Sequence, residues 1–206
     1  GTIAGLFEIH DKFGSIPIKE LFQPAIDLAN NGYKLTSNQV NTINNYKDLI
    51  LKLNDSIDLF NKTFKKDDLF INKPLAKTLT AISNNGADEF YKGEIANTLS
   101  SYIIEKGGII TKEDFALYKP VWRESLELKY KNLNIITMGP PSSGGIVLGQ
   151  ILQMIENYDL NELGHNSEKY IQLLVEAEKL SFSDRSKYLG DPDFNYIPIN
   201  ELLDKD

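Results

Sequence analysis

Two adjacent serines, Ser142 and Ser143, are the residues whose type and spacing most readily suggest chemistry. They lie in the run 140–145, between two prolines and two glycines. A serine nucleophile needs a base within hydrogen-bond reach, and the chain has only two histidines, His10 and His165. The run matches neither the Gly-x-Ser-x-Gly pattern of serine hydrolases nor the Gly-x-x-x-x-Gly-Lys-Ser/Thr phosphate loop. A serine nucleophile is therefore the least supported interpretation of this run.

Two other interpretations of residues 140–145 stay open. The run can be a connection from a strand to a helix, in which Ser142 and Ser143 accept hydrogen bonds from N–H groups at the helix start. It can also border a substrate, because a helix start presents N–H groups and a positive dipole to an anion. We favour the plain connection, since serines and glycines suit such a junction without any ligand.

A second group of residues with possible chemistry is charged and lies near the end of the chain. It consists of Asp184, Arg185, Asp191 and Asp193. Clustered carboxylates can bind a hard cation such as Ca²⁺. The stretch lacks the glycine and the terminal glutamate of an EF-hand loop. We therefore favour a network in which Arg185 pairs with the carboxylates and fixes the end of a helix, and we predict no metal site.

Hydrophobic periodicity predicts the elements that position the serines. Residues 133–138 are apolar and β-branched, which is typical of a strand, and the following glycine and prolines end it. Apolar residues then recur at helical spacing from Ile146 to Ile155, which predicts a helix with one buried face. Residues 125–130 alternate between apolar and polar, and a two-residue link joins them to the strand at 133. This pattern predicts a β-hairpin near 125–138.

The rest of the chain is predicted to be largely helical, which gives an α+β class overall. We place Pro24 in the first turn of the second helix and expect Ser37 to cap the third. Pro74 is expected to open a further helix. Thr111 and Asp114 have the spacing of a capping box at the start of a short helix.

Composition is ordinary for a globular protein of 206 residues, with 41% hydrophobic and 25% charged residues, and we predict a single domain over residues 1–206. The net charge of −7 argues against a nucleic-acid or anionic membrane surface. Residues 55–72 mix aromatics with lysines, but their charges nearly balance, so we expect a solvated loop with inward-facing aromatics. No run has the length of a transmembrane helix, no signal pattern opens the chain, and cysteine is absent.

Several stretches, taken in order, are similar to sequences of one family. They are Gly1-Thr2 with Ala4-Gly5, Gln23-Pro24-Ala25, residues 88–93, residues 107–114, residues 140–145 with Gln150-Ile151-Leu152, and parts of 176–194 that include Asp184-Arg185-Ser186. Each stretch alone is a weak signal. Together they span nearly the whole chain and resemble the large-subunit region of γ-glutamyltranspeptidases.

The resemblance implies a helix-rich, large-subunit part of an N-terminal-nucleophile (αββα) hydrolase fold. In that family a precursor cuts itself, and the new N-terminal threonine of the small subunit attacks a γ-glutamyl amide such as glutathione. The expected partners are therefore that small subunit and a γ-glutamyl small molecule, and no cofactor is expected. The family's threonine motif is expected after Asp206, and its substrate-binding arginine motif is expected before Gly1. We therefore assign no catalytic residue and expect the 206-residue chain alone to be inactive.

The candidate site residues are four members of the serine and glycine run. We expect Ser142, Ser143, Gly144 and Gly145 to lie at the edge of the substrate pocket and to support the small subunit's site without doing chemistry. The resemblance also implies a periplasmic or extracellular enzyme. Two alternatives remain, a non-catalytic structural or interaction module that uses the helical half of the fold, and a relative that acts on poly-γ-glutamate or acylated β-lactams.

Overall fold

The computed structural model describes residues 1–54 and 57–204. The chain divides into two compact units, Gly1–Pro120 and Val121–Asp206. Whether residues 1–206 act as a single domain stays a prediction. The described residues are mainly helical and form two small antiparallel sheets, which confirms the predicted α+β class.

The first unit is built from helices and one short sheet. Its helices are α1 (Thr2–Phe13), α2 (Ile18–Asn31), α3 (Ser37–Leu53), α4 (Lys73–Asn85), α5 (Ala87–Tyr91), α6 (Glu94–Glu105) and α7 (Lys112–Leu117). Strands β1 (Tyr33–Lys34) and β2 (Leu69–Phe70) pair antiparallel, with Tyr33 opposite Phe70. Helices α2 and α4 pack along each other. The sequence did not predict this sheet, because two-residue strands show no periodicity.

Capping side chains set several of the helix starts. Thr36, and not Ser37 as predicted, caps α3, and it forms a capping box with Gln39. The predicted capping box of α7 is confirmed, since the Thr111 hydroxyl accepts from the Asp114 N–H and the Asp114 carboxylate accepts from the Thr111 N–H. The Thr111 N–H and the Thr111 hydroxyl both donate to the Asp114 carboxylate, at 2.7 Å and 2.8 Å, and these two hydrogen bonds hold the pKa of Asp114 below its usual value.

The position of Pro24 differs from the prediction. Helix α2 begins at Ile18, so Pro24 lies inside the helix and not in its first turn. A proline has no N–H to donate to the carbonyl four residues earlier, which here belongs to Glu20. The helix starts before the proline because the preceding residues are packed, with the ring centroids of Phe22 and Phe7 only 6.0 Å apart.

The loop that precedes α4 contributes an aromatic side chain, Phe64, to a buried cluster. Phe64 is 2% exposed and packs with Leu35 and Val40. The Asn44 side chain donates to the Phe64 carbonyl and accepts from its N–H, which holds the loop against α3. The expectation of inward-facing aromatics is thus confirmed at Phe64. Positions 55 and 56, part of the same predicted loop, lie outside the described residues.

The second unit combines a hairpin with four helices among the residues that the structure describes. The elements are β3 (Ser125–Tyr130), β4 (Leu133–Met138), α8 (Gly144–Ile155), α9 (Leu160–Leu163), α10 (Glu168–Tyr188) and α11 (Ile199–Leu202). The predicted hairpin is confirmed, with Leu128 opposite Ile135 and a left-handed backbone at Lys131 in the turn. Helix α8 packs against the hairpin and α10, and its Ile146 joins a buried cluster with Ile197 and Leu202.

Across residues 1–54 and 57–204, every helix is too short or too polar to span a lipid bilayer.

We expect Phe64→Ala to lower the free energy of unfolding by roughly 3–5 kcal/mol, because it removes a buried ring and leaves a cavity. Phe194 is 84% exposed, so Phe194→Ala is the matched control and should change this quantity by less than about 0.5 kcal/mol. Urea unfolding of the two variants beside the wild-type chain measures both effects. Equal losses in the two variants would show that the core around Phe64 is not packed as described.

Candidate functional site

The candidate site is the turn that carries the chain from β4 into α8, residues 139–145. Its backbone is held by two local hydrogen bonds, from the Ser142 N–H to the Gly139 carbonyl (3.2 Å) and from the Val147 N–H to the Ser143 carbonyl (3.0 Å). Pro140 is buried and joined to the next proline by a cis peptide bond, whereas Ser142 and Ser143 are half-buried. The turn is therefore anchored at its start and accessible at its serines.

The prediction that both serines accept hydrogen bonds from the start of α8 is confirmed for Ser142 and wrong for Ser143. Ser143 occupies the N-cap position, but its side chain accepts no hydrogen bond from the helix. Its backbone is already helical (φ −80°, ψ −16°), whereas a capping side chain normally needs an extended backbone to reach back to the free N–H groups. The Ser142 hydroxyl instead accepts from the Gly144 N–H at 3.4 Å. The Ser143 hydroxyl is thus left for a partner outside the helix.

That partner is Arg185 of α10, whose Nε donates to the Ser143 Oγ at 3.0 Å. The predicted pairing of Arg185 with the nearby carboxylates is therefore wrong. Asp193 pairs with Arg123, whose guanidinium nitrogen lies 2.9 Å and 2.8 Å from the two carboxylate oxygens. The Asp191 carboxylate accepts a hydrogen bond from the Asp193 N–H at 2.9 Å, so its partner lies within the same loop. Arg123 lies 70 positions before Asp193, which is why local spacing did not reveal the pair.

Asp184, the remaining acid of that group, binds a residue of α8. The Gln150 amide nitrogen donates to its carboxylate at 2.8 Å, and Gln150 is only 8% exposed. The Gln150 Oε1 accepts no hydrogen bond from the described residues. This role was not predicted from the sequence, although a glutamine four residues after Ile146, on the buried face of an apolar helix, is a usable signal.

The two glycines of the turn differ in their surroundings. A Cβ on Gly145 would collide with the Met138 carbonyl and would lie 2.9 Å from the Thr137 Cγ2. A Cβ on Gly144 would meet only the Ser142 Oγ, at 3.6 Å. Gly145 therefore lets the start of α8 lie directly on the last carbonyl of β4, whereas Gly144 faces open space. Further along α8, a Cβ on Gly149 would lie 3.1 Å from a methyl group of Leu128 in β3.

Neither histidine supports a serine nucleophile. The His165 ring lies beside Tyr170, with 6.1 Å between centroids, and His10 is hydrogen-bonded at Nε2 to the Ile16 carbonyl. Among the residues that the structure describes, the hydroxyls of Ser142 and Ser143 bond only to Gly144 and Arg185. In the part of the chain that the structure describes, no three histidine or acidic side chains are grouped to hold a metal ion. The turn can thus offer hydroxyl and N–H groups to a neighbour, but it has no activated nucleophile.

Comparison with known proteins identifies the relatives of this chain. The sequence model of the family described as Gamma-glutamyltranspeptidase matches residues 1–206. A glutathione hydrolase proenzyme of Escherichia coli (strain K12) is 39% identical over 209 residues, which cover 100% of this chain and 36% of that protein. An acylase ACY 1 proenzyme of Pseudomonas sp. (strain SE83) is 34% identical, covering 100% of this chain and 37% of that protein.

Comparison with solved structures finds relatives in the same family as the sequence comparison does. The crystal structure of Helicobacter pylori gamma-glutamyltranspeptidase matches with a TM-score of 0.93 and 41% identity, covering 100% of this chain and 60% of that chain. The fold is that of the helix-rich, large-subunit part of N-terminal-nucleophile hydrolases. The chain belongs to the γ-glutamyltranspeptidase family, as its residues predicted. It spans little more than a third of the length of the two curated relatives, both of which are proenzymes by name.

We expect Gly145→Ala to lower the free energy of unfolding by about 1–3 kcal/mol, because β4 or α8 must move to admit the new methyl group. Gly144→Ala is the matched control and should change stability by no more than about 1 kcal/mol, since its methyl group meets no backbone. Chemical denaturation followed by circular dichroism compares the two variants. If Gly145→Ala is as stable as Gly144→Ala, the close approach of α8 to β4 is wrong.

Proposed function

We propose that this chain is part of the large subunit of a proenzyme that transfers or hydrolyses the γ-glutamyl group of glutathione and related γ-glutamyl amides. The observation that carries the proposal is the match over the whole chain, in sequence to a glutathione hydrolase proenzyme and in fold to a γ-glutamyltranspeptidase. The acylase relative is less similar, at 34% against 39% identity, so the γ-glutamyl substrate is preferred over an acylated β-lactam. The same family resemblance favours a periplasmic or extracellular location.

The proposed partner is the small subunit cut from the same precursor, and the hairpin offers a surface for it. One face of the hairpin packs on α8, where Leu128 reaches Gly149. The opposite face exposes apolar side chains, with Ile136 73% and Met138 70% exposed. Among the described residues β3 and β4 pair only with each other, so each has an edge open to a further strand. Exposed apolar groups on an open sheet are typical of a surface that another layer covers.

In the proposed reaction the small subunit supplies the nucleophile. Its N-terminal threonine hydroxyl attacks the γ-carbonyl carbon, with its own α-amine as the base. Backbone N–H groups stabilise the negative oxygen of the tetrahedral intermediate, and the amine of the substrate leaves. Water or an acceptor amine then breaks the resulting ester. The proposed role of Ser142, Ser143, Gly144 and Gly145 is to form an edge of the pocket, where the α8 start presents N–H groups toward an anionic substrate.

We expect the product of the complete coding sequence to cut itself into two chains and to release the aniline from a γ-glutamyl anilide. The 206-residue chain alone should release none. Gel electrophoresis follows the cleavage and absorbance follows the release. A matched control replaces the N-terminal threonine of the small subunit with alanine, which should abolish both events because it removes the attacking hydroxyl.

Two results would contradict this proposal. A processed protein that cleaves an acylated β-lactam and not the γ-glutamyl anilide would assign the chain to the acylases. If the 206-residue chain releases the aromatic amine, and the release disappears in Ser142→Ala or Ser143→Ala, a serine is the nucleophile.

A further inference from the structure

The contact between Arg185 and Ser143 joins α10 to the turn in a way that the family reaction does not explain. Ser143 begins α8 and yet contributes no capping hydrogen bond to it. Its hydroxyl accepts the Nε–H of Arg185 at 3.0 Å. A hydroxyl that accepts this hydrogen bond still has its own proton to donate. The Ser143 proton is therefore available to an acceptor atom outside the chain's own helix.

A second hydrogen bond fixes the position of Arg185 along α10. The preceding residue, Asp184, accepts from the buried amide of Gln150 in α8. Gln150 lies two helical turns after Ser143, so the two residues occupy the same side of α8. Two consecutive residues of α10 thus bind two residues on one side of α8, and neither helix can slide without breaking both bonds.

This arrangement has an energetic cost at Gln150. Its Oε1 is buried and accepts no hydrogen bond from the described residues. A buried acceptor without a partner is unfavourable, and such groups call for a specific explanation. The amide orientation that leaves Oε1 alone is also the one that donates to Asp184, because the reverse orientation would bring two oxygens together. The Gln150 amide therefore holds the Asp184 side chain in place although its own Oε1 lacks a hydrogen bond. Holding Asp184 also fixes the position of the next residue, Arg185.

We propose that Arg185 is a positioning residue for γ-glutamyl transfer, which orients the Ser143 hydroxyl so that it donates to an oxygen of the γ-glutamyl substrate. This inference rests on the proposed function of the chain. The guanidinium does not touch the substrate and acts only through Ser143. Its exposed side chain stacks near the Phe182 ring, with 5.7 Å between Cζ and the ring centroid, which restrains it on the surface of α10.

The test uses the full-length precursor after self-cleavage and measures kcat and KM with a γ-glutamyl anilide. Arg185→Ala should raise KM by roughly 2–10-fold, the effect of losing one oriented hydrogen bond, and should change kcat by less than about 2-fold. Ser143→Ala should do the same, and the double variant should be no worse than either single variant. Lys187→Ala is the control, because it removes an exposed cation of α10 whose ring contact is with Tyr188.

The possible outcomes separate the inference from the proposed function. Unchanged kinetics in Arg185→Ala, or an Arg185→Ala effect that persists in the Ser143→Ala background, would overturn the positioning role while leaving the function intact. A lowered melting temperature that accounts for the lost activity in Arg185→Ala would make the contact purely structural. A processed wild-type protein without γ-glutamyl activity would overturn both the function and the inference.

Discussion

The close approach of α8 to the end of β4 is the constraint on which the second unit depends. Gly145 has no Cβ, so its backbone rests against the Met138 carbonyl, and any side chain there would force the helix away from the strand. This approach places Ile146 directly in the buried cluster with Ile197 and Leu202. It also sets the angle at which α8 leaves the hairpin. That angle in turn sets the orientation of residues 142–144 at the start of the helix.

Hydrogen bonds between α8 and α10 complete the positioning that the glycine makes possible. The hairpin carries the turn, α8 leads away from it, and α10 holds it through Asp184 with Gln150 and Arg185 with Ser143. In the unfolded chain water forms hydrogen bonds with the same side chains, so each of the two bonds alone contributes only modestly to the free energy of unfolding. Together they specify one register of α10 along α8. The start of α8 is thus held by α10 as well as by the hairpin, and a reactive site is better supported by residues whose positions are fixed in this way.

Local sequence patterns predicted the elements but not the pairs between them. The hairpin, the α7 capping box and the helix through Ile146 to Ile155 follow from spacing and residue type, and the structure confirms them. Arg123 and Asp193 lie 70 positions apart, and only the folded chain brings them together. The role of Ser143 was also out of reach, because its dihedral angles decide whether its hydroxyl faces the helix or Arg185. The resemblance supplied the family, whereas the geometry supplied the partners of each side chain.

The most direct test of this account is a crystal structure of the processed full-length protein with a γ-glutamyl ligand bound. We expect at least one of Ser142, Ser143, Gly144 and Gly145 to lie within about 4 Å of the ligand or of a small-subunit residue that contacts it. The Arg185 Nε should still donate to the Ser143 hydroxyl in that structure. A turn that faces solvent, with the ligand bound elsewhere and the exposed face of Ile136 and Met138 uncovered, would contradict the account.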